Sequence, residues 1–208
     1  MRAERGVTPE GKARHARERL PAAERRTALI EAALEVFTTS SYAGATTSEI
    51  ARAAGVSEPI LYRHFASKRD LWLACLDVAW DEVRVVIEEK VALQASGVEL
   101  PPAEMRSPWE SPRMPNLWLQ GLTGAGDDEA VRDGVRQHML EVHGFVADLF
   151  RAQQAAGTIP IDRDPEAEAW IFVAGGLLRS VDDRLGGVIS PTQLAAIGRE
   201  RRRWLAGA

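Results

Sequence analysis

Apolar residues recur at helical spacing along most of the chain. The first amphipathic segment begins near Ala22, and its apolar positions lie three and four residues apart, which predicts a helix. These positions are Leu29, Ile30, Ala33, Leu34 and Phe37. No segment alternates between apolar and polar residues for long enough to predict a strand. The pattern therefore predicts an all-α chain.

Two short helices are predicted next, on either side of a glycine turn. Thr46 or Thr47 can cap the first of them, which Gly55 ends, and a glutamate three positions after Thr46 gives capping-box spacing. Ser57 can cap the second, with Pro59 in its first turn. Two short helices joined in this way form a helix-turn-helix unit.

The rest of the chain predicts longer helices. Caps and apolar stripes place them at about 67–93, 117–122, 128–154, 164–185 and 190–205. Five prolines fall within residues 95–116, which predicts a loop with at most one short helix. The interpretation divides the chain into a basic flexible arm (1–21), a helix-turn-helix domain (22–68) and a helical domain (69–208).

The second helix of the helix-turn-helix unit has a geometry suited to the DNA major groove. Leu61 and Phe65 lie about 40° apart around the helix axis and define its buried side. The remaining faces carry Pro59, Ile60 and Arg63 on an outward ridge and Tyr62 and His64 on its two flanks. Such a ridge can meet base edges while the flanks meet phosphates. Lys68, at the start of the next helix, provides a second phosphate-binding element.

Glu58 leaves two interpretations open. A carboxylate in the major groove can accept a hydrogen bond from a cytosine amino group. It can also stabilise the positive end of its own helix. With this residue included, the predicted DNA-contacting set is Thr47, Ser57, Glu58, Pro59, Ile60, Tyr62, Arg63, His64 and Lys68.

The stretch from Ala45 to Leu71, with its Leu-Tyr-x-His-Phe-x-x-Lys core, closely resembles the DNA-binding segment of the TetR family of transcriptional regulators. The resemblance covers roughly residues 25–71. It implies phosphate contacts for Tyr62, His64 and Lys68, and a C-terminal domain that binds a ligand and dimerises. It also implies a regulator, most often a repressor, that a small molecule releases from a palindromic double-stranded operator.

Charge and composition refine this interpretation. The net charge is −4, yet residues 1–70 carry twelve Lys and Arg against nine Asp and Glu, a net +3. The basic arm can enter a minor groove or serve only as a solubilising tail. One cysteine, no apolar run long enough to cross a membrane and a polar N-terminus predict a cytoplasmic protein without a membrane partner.

The helical domain offers candidates for an effector site, for which we expect a small apolar or aromatic molecule. His138 falls within the apolar stripe of helix 128–154, where it can bind a ligand or be satisfied by a neighbouring backbone group. Glu82 lies near the apolar side of the long helix, unless it is a partly exposed carboxylate paired with an arginine. The candidate ligand-binding residues are Ala79, Glu82, Val86, Trp118, His138, Val142 and Phe172.

Helix 165–185 carries two apolar faces, which predicts two neighbours. One neighbour is its own domain, and the other is a second copy of the chain, packed with the last helix as a four-helix bundle. A helix that is simply central within a monomer is the alternative. The predicted dimer interface comprises Trp170, Ala174, Leu177, Leu178, Val181 and Leu185.

Motifs for catalysis are missing from the sequence. It has no Gly-x-Ser-x-Gly, no His-Glu-x-x-His and no phosphate-binding loop with a lysine. We therefore expect neither an enzyme nor a cofactor or metal. A second hypothesis stays open, in which the chain is an all-helical small-molecule-binding protein whose helix-turn-helix no longer binds DNA.

Overall fold

The computed structural model of the protein describes residues 21–96, 108–109, 113–124 and 128–207. These residues form eight helices and no strand, which confirms the all-α prediction. The helices are α1 (Ala22–Thr39), α2 (Thr47–Ala53), α3 (Glu58–His64), α4 (Lys68–Ala95), α5 (Arg113–Gly124), α6 (Glu129–Ala155), α7 (Pro165–Arg184) and α8 (Pro191–Ala206). The predicted arm, apart from its last residue Pro21, and most of the predicted loop at 95–116 lie outside the described residues.

The helix-turn-helix unit forms as its caps predict, with one difference. Thr46 caps α2, because its hydroxyl accepts from the Glu49 amide at 3.2 Å and the Glu49 carboxylate accepts from the Thr46 amide at 3.0 Å. Gly55 makes the turn at a φ of +69°, a backbone conformation that favours glycine. Ser57 stands at the N-cap of α3, but its hydroxyl makes no capping bond, so the predicted side-chain cap there is wrong.

The long helix α4 joins this unit to the rest of the chain. The Ser67 hydroxyl accepts from the Asp70 amide at 3.1 Å where α4 begins. The first half of α4 is fully buried at Leu71, Trp72 and Cys75. The Cys75 thiol lies 3.8 Å from the Ile30 carbonyl of α1, and burial raises its pKa. One continuous buried cluster thus runs from α1 to α7, and a division at residues 68 and 69 stays a prediction.

Helix α5 begins earlier than its apolar pattern predicts. It starts at Arg113 rather than near residue 117 and carries Pro115 in its first turn. Proline is tolerated there because the first amides of a helix have no partner within the helix. Gly121 allows close packing, since a Cβ atom at this position would lie 2.5 Å from the Trp72 ring.

The last three helices start and end within one or two residues of their predicted limits. The Asp128, Asp164 and Ser190 side chains cap α6, α7 and α8. Helix α7 packs against α5 and α6, whereas α8 is attached to α7 by the buried Glu168. That carboxylate pairs with Arg201 and accepts from the Trp204 indole at 2.9 Å. None of the described helices is long and apolar enough to cross a membrane.

Candidate nucleic-acid interface

Helix α3 turns the predicted ridge away from the protein. Leu61 and Phe65 are buried, as the predicted axis requires. Pro59 and Arg63 are exposed, and Ile60 is partly exposed. Tyr62 and His64 lie on the flanks, with Tyr62 48% exposed. The ridge and flanks are therefore accessible to a partner, while the contact with DNA itself stays a prediction.

Three side chains at the start of α2 and on α3 form a hydrogen-bonded chain. The Thr47 hydroxyl donates to Glu58 Oε1 at 2.5 Å, and Thr47 Oγ1 lies 3.2 Å from the Tyr62 hydroxyl. Glu58 and Tyr62 are four residues apart and therefore share a face of α3. The carboxylate of Glu58 thus bonds to α2, an arrangement that neither interpretation of this residue anticipated.

The Lys68 side chain forms hydrogen bonds within the protein that the sequence did not predict. Its ammonium donates to the Tyr42 carbonyl at 2.8 Å and to the Ala45 carbonyl at 3.1 Å, and lies 4.6 Å from the centre of the Tyr42 ring. Burial lowers the pKa of this ammonium. Two of its three N–H groups thus hold the connection between α1 and α2 in place, and the phosphate contact of Lys68 stays a prediction.

Replacing Lys68 with Met should destabilise the protein by about 1–2 kcal/mol, because two carbonyls lose a charged donor. The free energy of unfolding in urea, followed by circular dichroism, measures this loss. The matched control is Arg52→Met, which removes one charge from an exposed position on α2. Equal stability of K68M and the parent would contradict the role given to Lys68.

The basic excess of the N-terminal third lies outside the described residues. Residues 1–20 carry six Lys and Arg against three Asp and Glu, whereas residues 21–70 carry six of each. The helix-turn-helix unit is therefore electrically neutral overall. Attraction to phosphates at this surface therefore comes from individual basic side chains and not from an overall excess of positive charge.

The candidate effector residues do not all share one environment. Ala79, Val86, Trp118, His138 and Val142 are buried and Phe172 is partly buried. Glu82 differs from the other candidates, because its side chain is 44% exposed and its carboxylate accepts from Arg113 at 3.1 Å. The placement of Glu82 near the apolar interior is therefore wrong, and its alternative, an arginine-paired surface carboxylate, is observed.

His138 finds its partner in a side chain. The Trp118 indole donates to His138 Nδ1 at 3.0 Å, so this nitrogen carries no proton and the imidazole is neutral. Burial lowers the pKa of His138, while Asp77, Glu141 and the Leu76 carbonyl oppose that shift. The histidine thus belongs to the packed junction of α5 and α6.

A neutral buried histidine makes stability depend on pH. In the unfolded chain, His138 takes up a proton below about pH 6.5, whereas the folded protein resists this uptake. Its contribution to the free energy of unfolding is therefore complete above that pH and declines as the pH falls, with a slope of at most about 1.4 kcal/mol per pH unit. Urea unfolding from pH 7.5 to 5.5 should show a weaker decline for H138Q than for the parent. Identical slopes would exclude His138 as the cause.

The predicted dimer face is apolar and largely open to solvent. Trp170, Ala174, Leu178 and Val181 of α7 are exposed, as is Leu185 directly after it, and Leu177 is partly exposed. Ile197 and Trp204 add exposed apolar surface on α8. Contiguous exposed apolar side chains of this kind are typical of an interaction surface.

The sequence interpretation missed one contact between the two halves of the chain. Gln120 of α5 is buried, and its amide nitrogen donates to the Phe37 carbonyl near the end of α1 at 2.6 Å. The signal was present as a polar residue among the apolar positions of α5. Only the packing of α5 against α1 reveals what it binds. Within the described residues, no cluster of His, Cys, Asp or Glu could hold a metal ion.

Comparison with known proteins places the N-terminal segment in a family. Residues 29–75 match the model for bacterial regulatory proteins of the tetR family. The transcriptional activator FasR of Mycolicibacterium smegmatis is 55% identical over 58 residues, which are 28% of this chain and 26% of FasR. The transcriptional regulator AcuR of Cereibacter sphaeroides is 29% identical over 163 residues, 73% of this chain and 74% of AcuR. The chain thus spans about a quarter of the length of FasR in the matched region.

Solved structures extend the likeness to the whole fold. A TetR-family regulator from Rhodococcus sp. aligns with a TM-score of 0.66 and 24% identity over 85% of this chain and 97% of its own. A TetR-family regulator from Cytophaga hutchinsonii aligns with a TM-score of 0.64 and 18% identity over 91% and 98%. Residues 29–75, with the ridge on α3, therefore form a DNA-binding segment of the kind found in bacterial regulatory proteins of the tetR family, and the chain as a whole shares the all-helical fold of solved TetR-family regulators.

Proposed function

We propose that the protein is a ligand-responsive transcriptional repressor that binds a palindromic operator as a homodimer in the cytoplasm. The accessible ridge of α3, held by buried Leu61 and Phe65, is the observation that carries this proposal. Pro59, Ile60 and Arg63 would read base edges, and the flanking side chains would contact phosphates.

Selection of double-stranded DNA from a random pool by the full chain tests the DNA-binding part. We expect enrichment of a palindrome whose half-sites are about one helical turn apart or a multiple of that, as for other dimeric helix-turn-helix proteins. Binding to the selected site should weaken steeply with salt because phosphate contacts release counterions. Failure to enrich any sequence would support the second hypothesis, a small-molecule-binding protein with an inactive helix-turn-helix.

Exposed apolar side chains on α7 and α8 support the homodimer in this proposal. The exposed apolar face of these helices needs a neighbour, and a second copy of the same face would cover both by two-fold symmetry. Two copies of α3 could then engage the two halves of a palindrome. The alternative, a monomer with α7 at its centre, leaves this apolar face in solvent.

The effector would bind among α4, α5, α6 and α7, where the buried candidate residues lie. Helix α5 carries Trp118, which bonds to His138, and Gln120, which bonds to the end of α1. A molecule that displaces α5 would therefore act on α6 and α1 through these bonds, and on the long helix α4 through the close packing of Gly121 against Trp72. DNA and effector then lower each other's affinity by the same factor. Release of the selected DNA by small apolar and aromatic compounds tests this coupling.

Repression is the direction of regulation that we propose, because a dimer bound across a promoter excludes RNA polymerase. FasR, which matches the DNA-binding segment, is named an activator. In vitro transcription from a promoter that overlaps the selected site separates the two directions. Added protein should reduce the transcript, and an increase would overturn repression while leaving DNA binding intact.

A further inference from the structure

The hydrogen-bonded chain of Glu58, Thr47 and Tyr62 lies on the surface that would meet DNA. It joins the first residue of α2 to the first residue of α3 and to the flank of α3 four residues later. Glu58 and Thr47 are partly buried, and Tyr62 is exposed. The role that we assign below to these three side chains rests on the proposed DNA-binding function and goes beyond it.

A count of protons fixes the direction of each hydrogen bond. An ionised carboxylate can only accept, so the single proton of the Thr47 hydroxyl goes to Glu58. Thr47 Oγ1 then has no proton for Tyr62, so the Tyr62 hydroxyl is the donor in their contact. Both hydroxyl protons are therefore used within the protein. A DNA phosphate can only accept hydrogen bonds, so neither hydroxyl can donate to it while the bonds among Glu58, Thr47 and Tyr62 persist.

The negative charge of Glu58 also opposes the binding of DNA. Residues 21–70 carry as many acidic as basic side chains, so no excess of positive charge on this segment masks one carboxylate. A negative charge beside the groups that approach phosphate repels the DNA backbone at any sequence. Glu58 thus opposes binding both by occupying the hydroxyl protons and by its charge.

We propose that Glu58 is a positioning residue that holds Thr47 and Tyr62 in a closed hydrogen-bonded chain, which DNA phosphate has to open. Glu58 does not read a base in this assignment. It lowers the affinity for all DNA sequences by a similar factor. The protein then binds less tightly to the excess of non-operator DNA than the same surface would without the carboxylate.

The test measures equilibrium affinity of the full chain for its selected operator and for operators with each cytosine near the α3 contact replaced. Glu58→Ala should bind every one of these sequences about threefold to tenfold more tightly than the parent. This gain in affinity should become smaller as the salt concentration rises, because salt screens the repulsion between Glu58 and DNA in the parent. Glu35→Ala on α1 removes the same charge from an exposed position and should change affinity far less. E58Q, which keeps the side-chain shape, replaces E58A if circular dichroism shows that E58A does not fold.

A double-mutant cycle tests the proton count separately. Thr47→Val should weaken DNA binding by less than about twofold in the parent, where the hydroxyl proton belongs to Glu58. In the E58A background that proton is free for phosphate, and the same change should cost about threefold or more. A purely structural role for Glu58 would not produce this coupling.

The possible results of these measurements separate a failure of the role of Glu58 from a failure of the proposed function. Weaker binding of E58A at operators that contain one particular cytosine, and unchanged binding elsewhere, would show base reading and overturn the proposal. Unchanged affinity at every site would overturn it as well. If the parent itself enriches no DNA, the proposed function fails. If the parent binds DNA but E58A gains nothing, only the role of Glu58 fails.

Discussion

Replacing Leu178 with Arg should convert the proposed dimer into monomers and weaken operator binding on the order of a hundredfold or more. Leu178 lies on the apolar face of α7 and is 48% exposed in the single chain, so the monomer can accommodate the charge. In a packed dimer the same guanidinium would be buried without a partner, which is strongly unfavourable. Loss of the second α3 then removes the gain that two linked binding sites provide.

Solution mass by light scattering and operator affinity by gel shift measure these two effects. Leu140→Arg is a matched control, because Leu140 is 46% exposed but lies on α6. We expect this control to keep both the dimer and the affinity. An unchanged dimer mass for L178R would place the interface on another surface.

Replacing Trp118 with Ala should cost about 3–5 kcal/mol of the free energy of unfolding. The indole is fully buried in the main hydrophobic cluster, packs edge-on against His138 of α6 and donates a hydrogen bond to it. Removal therefore leaves a cavity and a buried nitrogen without its donor. The total free energy of unfolding of a globular domain is only about 5–15 kcal/mol, so this loss is a large share of the stability.

Trp118→Phe separates the two contributions. It keeps most of the ring but removes the N–H group, so we expect a smaller loss of about 1–3 kcal/mol. Urea unfolding of both variants and the parent, at a pH above 7 where His138 is neutral, gives the values. Losses below about 0.5 kcal/mol in both variants would mean that the junction of α5 and α6 can rearrange without cost.

The sequence predicted the helix-turn-helix unit well because its signals are local. Thr46 and its glutamate lie three residues apart, the glycine turn follows directly, and Leu61 with Phe65 sets the orientation of α3. Each of these features acts within one or two turns of helix. The caps of α6, α7 and α8 are local in the same sense, so these limits were also predicted closely.

The contacts that change the interpretation of the site are not local. Lys68 bonds to carbonyls 23 and 26 residues earlier, and Thr47 bonds to a carboxylate 11 residues later. Glu82 finds Arg113 across 31 residues of sequence. Helical periodicity gives the face on which a side chain lies, but its partner depends on how the helices pack. For this reason the sequence predicted which residues lie on the candidate DNA-contacting surface. It did not predict the hydrogen-bond partners of Glu58 and Lys68.

The burial of Cys75 has a practical consequence for labelling experiments. It is the single cysteine of the chain, it is fully buried, and burial raises its pKa, so little of the reactive thiolate forms near neutral pH. A cysteine introduced at an exposed position would therefore react with a maleimide dye or spin label far faster than the native thiol does. One label on each copy of the proposed dimer, placed at Arg52 near the end of α2, would report the distance between the two helix-turn-helix units directly. The native cysteine could stay in place throughout.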